Sequence, residues 1–135
     1  MMKRTLFSVF VIFIVWSILD FVIHGVFLQS TYEATAHLWR PMEEMNMPLM
    51  YFVTLAYTAC FVVIYGVFVT EKSLSTGIKF GGLFGLAAGI MGFGSYSYMP
   101  IPLSLAWSWF AGILVELIVA GALVGTIMKP EGKSS

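Results

Sequence analysis

The sequence predicts an all-α fold: a membrane-embedded four-helix bundle with a short outer interfacial helix. Three observations carry this expectation. The chain of 135 residues is 59% hydrophobic and only 10% charged, against about 25% charge in ordinary soluble domains. Its apolar residues fall into four runs, each near the ~20 residues a helix needs to cross a bilayer. Its basic residues also segregate: Lys3, Arg4, Lys72, Lys79, Lys129 and Lys133 flank the same ends of these runs, and only Arg40 lies at the other.

The four spans are read at 5–28, 48–70, 77–98 and 103–128. Helices are the expected spanning form, because every backbone polar group in hydrocarbon must be satisfied within the segment. The period-2 alternation of a β-barrel strand is absent. The start Met1-Met2-Lys3-Arg4 could open a signal peptide, but the apolar run is longer than a typical h-region and no A-x-A-like site follows. An uncleaved first helix is expected, and residues 1–135 form one integral membrane domain. Between spans 1 and 2, Ser30-x-x-Glu33 reads as a capping box. It predicts a surface helix over 31–40 with Glu33, His37 and Arg40 on one face. Pro100 and Pro102 break the chain between spans 3 and 4, since proline has no amide donor.

The positive-inside rule places the basic ends, and with them both termini, in the cytoplasm. Tyr32, Trp39, Tyr51, Tyr96, Tyr98, Trp107 and Trp109 then fall near the outer interface, where amphipathic rings prefer to sit. Formal net charge is zero, so nothing electrostatic points to nucleic acid. The single Cys60 excludes an internal disulfide and a cysteine zinc site.

Four constellations carry chemical content. Asp20 and His24, four residues apart, share a face of the first span, and Glu116 is a lone carboxylate in the last. An ionisable group at the centre of a spanning helix costs roughly 3 kcal/mol on insertion scales, which makes it a functional candidate by default. Carboxylate and imidazole suit a proton relay, an ion path or a metal site. They equally suit a structural polar cluster that fixes helix packing. Arg40 is grouped with them as a candidate lining the same outward-facing pocket. Second, Met42, Met45, Met47 and Met50 recur in the outer loop near His37. Thioethers are soft ligands that select Cu(I), so His24, His37, Met42, Met45 and Met47 form a candidate copper set. Against this stands the ordinary use of methionine as a flexible hydrophobe.

Third, Gly77, Gly81, Gly85 and Gly89 recur every four residues in span 3, and Gly121 and Gly125 repeat the spacing in span 4. Small residues at this interval let helix backbones approach closely, so spans 3 and 4 are expected to meet there. Fourth, Tyr51, Thr54, Thr58 and Tyr65 lie in one arc of span 2. They suit hydrogen bonding between helices or the wall of a wet cavity with Asp20 and His24. Phosphate-binding loops, H-E-x-x-H and Gly-x-Ser-x-Gly are absent from the sequence.

At Asp20-Phe21-Val22-Ile23-His24-Gly25, Tyr32, Leu38-Trp39-Arg40-Pro41, Met99-Pro100-Ile101-Pro102 and the Glu116/Gly121 spacing, the chain resembles small bacterial four-transmembrane-helix proteins with no assigned activity. The resemblance implies a compact four-span fold in the inner membrane and brings no chemistry of its own. The favoured expectation is a non-enzymatic accessory or structural subunit of a membrane complex, with a membrane-protein partner or a second copy of itself. The main alternative is a small transporter or ion- or metal-handling protein built on Asp20, His24 and Glu116, with the methionine loop at its mouth. An intramembrane enzyme acting on a lipid or quinone, with His24 as general base, is the weaker alternative, because no nucleophile-plus-base motif accompanies it.

Overall fold

The computed structural model describes residues 1–130, so Lys133 lies outside the described residues. Among these the chain is all-α, with four helices long and apolar enough to cross a membrane. Helix α1 (Met2–Asp20) passes without a break into a π-helical segment, Phe21–Phe27, giving one span from Met2 to Phe27. The wide turn is visible in its last bond, from the Leu28 amide to the Ile23 carbonyl at 2.9 Å. Helix α2 (Gln29–Ala34) follows, then 3-10 turns at Ala36–Leu38 and Met42–Glu44. The remaining spans are α3 (Met47–Phe68), α4 (Leu74–Gly94, continued by a 3-10 turn to Ser97) and α5 (Leu103–Ile127).

The helix starts have local causes. Asn46 caps α3 by accepting from the Leu49 amide at 3.0 Å, with Pro48 in the first turn, where a missing amide costs nothing. Ser73 caps α4 through the Thr76 amide at 3.1 Å, which starts that helix three residues before the expected position 77. Pro102 precedes α5 in an extended conformation.

The expected surface helix over 31–40 is corrected. Helix α2 begins at Gln29 and stops at Ala34. Ser30-x-x-Glu33 forms no capping box: Leu28 stands at the cap position without a side-chain bond, and Glu33 accepts from Gln29 Nε2 at 3.0 Å. The π segment delivers the chain already wound, so Ser30 falls inside the first turn. The break comes at Thr35. Its hydroxyl turns back to the Thr31 carbonyl at 2.7 Å and also accepts from Trp39 Nε1 at 2.9 Å. Such local side-chain bonds compete with helix continuation. Glu33, His37 and Arg40 therefore do not share a helix face.

The closest contact in the bundle is the α4–α5 seam. A Cβ built on Gly81 would meet the Leu117 carbonyl oxygen and come within 3.0 Å of the Gly121 Cα. One on Gly77 would lie 2.7 Å from the Gly125 Cα, and one on Gly85 3.1 Å from the Leu114 Cα. The glycines are what let the two backbones touch, as the four-residue spacing predicts. Helix α3 stands off from α4 by a layer of rings instead: Phe61 lies 4.9 Å from Phe80 and 5.5 Å from Phe84, and Tyr65 5.3 Å from Phe80. Ile12 of α1, Phe61, Val62 and Tyr65 of α3, and Leu117, Ala120 and Val124 of α5 close the main core.

The two ends of the bundle differ in character. At one end Arg4 donates to the Lys129 carbonyl at 2.6 Å, and Lys72 to the Val69 carbonyl at 2.7 Å. This brings the start of α1 and the end of α5 together. At the other end, Leu28, Ile101, Leu105 and Ala106 form a second core beneath Tyr32, Trp39 and Trp109.

Candidate functional site: a buried carboxyl and its polar neighbours

The site is assembled between α1 and α5, which run in opposite directions. In any helix the Cα–Cβ bond tilts toward the N-terminus. Asp20, near the aromatic end of α1, therefore leans toward the basic end, and Glu116, deeper in α5, leans toward the aromatic end. The tilt closes the axial offset that separates the two residues by register. The Asp20 carboxyl and the Trp16 indole N–H are the polar groups that face Glu116. Glu116 is 4% exposed, and its Oε1 has no hydrogen-bond partner among the described residues.

From Asp20 a polar chain leads to the aromatic end. Asp20 Oδ1 is 3.7 Å from His24 Nε2, and both side chains are about two-fifths exposed (40% and 43%), so this pair borders the rim of the bundle. His24 Nδ1 lies 2.7 Å from the Tyr32 hydroxyl, with the rings stacked at 5.9 Å. Trp109 Nε1 donates to the same hydroxyl at 2.8 Å. An indole can only donate. The arrangement that satisfies every donor is therefore Trp109 N–H to Tyr32 oxygen and Tyr32 O–H to His24 Nδ1. That leaves the imidazole proton on Nε2, facing Asp20. Burial pushes the Tyr32 phenol above its ordinary value, and the Trp109 bond partly offsets the rise. A cavity of about 210 Å³, lined by His24, Tyr32, Trp109 and Ile113, adjoins this chain.

The structure thus brings together Asp20, His24 and Glu116. It does not bring in Arg40, which is exposed in the loop and makes no ion pair with any of them among the described residues. His37 lies in the turn Ala36–Leu38, Met42 in the turn Met42–Glu44, Met45 just after it, and Met47 at the start of α3. Among the described residues no three His, Cys, Asp or Glu side chains converge as a metal-holding group. The span 2 stripe divides. Thr54 donates to its own helix at the Met50 carbonyl, Tyr51 is exposed against Phe13, and Tyr65 donates to the Ser73 carbonyl at 3.3 Å. Thr58 is fully buried, and its hydroxyl has no partner among the described residues. It does not bond to Asp20 or His24.

Sequence reasoning missed Trp16, and it assigned Tyr32 and Trp109 only to an interfacial belt. A signal existed for the first: Ser8, Ile12, Trp16, Asp20 and His24 recur every four residues along α1, a row that faces one side. Tyr32 and Trp109 carried no such mark, because their meeting depends on the π turn that ends at Leu28. The fold and site define a class: an α-helical bundle with four spans of membrane-crossing length and a buried carboxyl, Glu116, beside a second carboxyl, Asp20, at its rim. No family model, curated protein or solved structure matches the chain.

Proposed function

We propose that the protein handles a small cation at the Asp20–Glu116 pair, reached from the aromatic end past His24 and Tyr32. The observation that carries this reading is Glu116: a carboxyl 96% removed from the surface, with one oxygen unpartnered and another carboxyl facing it. A buried carboxylate with a second carboxylate beside it is repelled by that charge, so the pair favours a bound cation or a shared proton. A purely structural cluster is expected to pair its buried oxygens. The positive-inside rule supports placing the basic end in the cytoplasm and the aromatic end outside, as in a bacterial inner membrane.

The test uses a hydrophobic carbodiimide, which reacts with membrane-embedded carboxyl groups that carry a proton. In the full chain in lipid, Glu116 is expected to be the labelled residue by mass spectrometry. Competing cations are expected to slow labelling if they share the site, and Asp20→Asn to change its rate. A folded protein in which Glu116 stays unlabelled, with cations and Asp20→Asn without effect, overturns the proposal. The accessory-subunit reading, with partner or self-association detected by crosslinking in mild detergent, would then stand in its place.

A further inference from the structure

Five hydroxyls in the spans are satisfied by their own helix. Thr5, Ser17, Thr54, Ser108 and Thr126 each donate to the carbonyl four residues back, at 2.8–3.1 Å. This is the ordinary behaviour of Ser and Thr in such helices. Ser8 and Thr58 depart from it. Both are 0% exposed, and neither hydroxyl has a partner among the described residues. Glu116 Oε1 is the third buried side-chain oxygen of this kind.

These three oxygens sit on α1, α3 and α5, each close to residues of one apolar core. Ser8 is a turn from Ile12, Thr58 a turn from Phe61 and Val62, and Glu116 a turn from Ala120. Helical register therefore points all three into the same interior. On α1, Ser8 also lies in the row of four-residue steps that carries Trp16, Asp20 and His24, and it is one turn from Arg4 at the basic end.

We propose that Thr58 and Ser8 extend the path beyond Glu116 to the basic end, and that what crosses the bundle along it is a proton. This inference rests on the carboxyl-pair reading above. Buried oxygens without protein partners are where bound water bridges polar groups. A hydroxyl both donates and accepts, so it can take a proton on one side and release one on the other, ending unchanged. A metal ion needs several oxygen ligands in place of its water shell. Besides the Tyr65 hydroxyl, which is held by the Ser73 carbonyl, this stretch offers only the Ser8 and Thr58 hydroxyls among Ile12, Phe61, Val62 and Leu117, which suits a hopping proton and not a desolvated ion. The titratable groups along the route are Tyr32, His24, Asp20 and Glu116. From α3, Tyr57 meets Trp16 edge-on at 5.6 Å, and Tyr65 lies in the same core with its hydroxyl on the Ser73 carbonyl.

The experiment is proton uptake into vesicles holding the full chain, with the membrane potential set by potassium and valinomycin and an internal pH-sensitive dye as readout. Wild type is expected to admit protons. Thr58→Val and Ser8→Ala are expected to lose the flux, and Thr58→Ser to keep it. All of them should still label at Glu116 with the carbodiimide, which also reports that they fold. Wild-type flux equal to that of protein-free vesicles, or unchanged flux in Thr58→Val or Ser8→Ala, overturns the path. Labelling that persists without flux leaves the carboxyl pair standing, whereas absence of wild-type labelling brings down both.

Discussion

Helix α5 presents two contrasting surfaces. Toward α4 it offers Gly121, Gly125 and the Leu117 backbone, and the two helix backbones meet with no room for a methyl group. Toward α1 and α2 it offers Glu116, one of whose oxygens is left unpartnered, and Trp109, which bonds to Tyr32 of α2, beside apolar contacts such as Ile12 with Leu117. The first surface has every mark of stability, since close backbone approach maximises dispersion contact where lipid gives no hydrophobic drive. The second carries an unmet polar atom in the interior, which costs about 1–3 kcal/mol. Such a cost is retained when the group does something other than hold the fold together.

The contrast is sharpest when each surface is perturbed. Gly81→Ala puts a methyl group against the Leu117 carbonyl and the Gly121 Cα, neither of which can move without opening the hairpin. The expected loss exceeds the ~3 kcal/mol upper range of ordinary overpacking, and thermal unfolding in detergent measures it. If Gly81→Ala is tolerated, the seam is not what holds α4 to α5.

Tyr32→Phe should cost less, about 1–3 kcal/mol, by leaving the Trp109 N–H and His24 Nδ1 without their shared partner. It also has a pH signature. The native phenol holds its proton more tightly than the unfolded value of 10.0. Its contribution is therefore intact below that pH and is lost as pH rises through the elevated native value. Unfolding curves taken at increasing alkalinity should fall less steeply for Tyr32→Phe than for wild type.

The smallest effect is expected at Gly82, beside the seam but facing away from it. A Cβ there meets nothing within 4 Å. Gly82→Ala should be neutral or should stabilise by up to about 1 kcal/mol through helix propensity. A loss comparable to that of Gly81→Ala would show that the whole helix, and not one row of it, is intolerant.

These two surfaces were not equally legible in the sequence. The seam follows from a single interval, Gly77-Gly81-Gly85-Gly89 against Gly121-Gly125, because small residues at four-residue spacing mean one thing to a helix pair. The four spans follow from composition and length, and their ends shift by only a few residues where Ser73 and Asn46 supply caps. The polar site was half visible. Asp20 and His24 declare themselves by charge in an apolar run. The approach of Asp20 to Glu116 depends on the antiparallel tilt of two helices, and the link of His24 to Tyr32 depends on the π turn before Leu28. The surface helix expected over 31–40 failed at Thr35, whose hydroxyl serves Thr31 and Trp39 instead of letting the helix continue. Arg40 stayed out of the site for the same reason: the broken helix leaves it in exposed loop.

If the proposed cation site is right, Glu116 is kept for its charge chemistry and not for its packing. The thermal stability of Glu116→Met in detergent tests this most directly. Methionine fills irregular interior space and removes the unpartnered oxygen, so the variant should be as stable as wild type or more stable by about 1–3 kcal/mol. A loss of several kcal/mol would contradict the account and make Glu116 a structural residue.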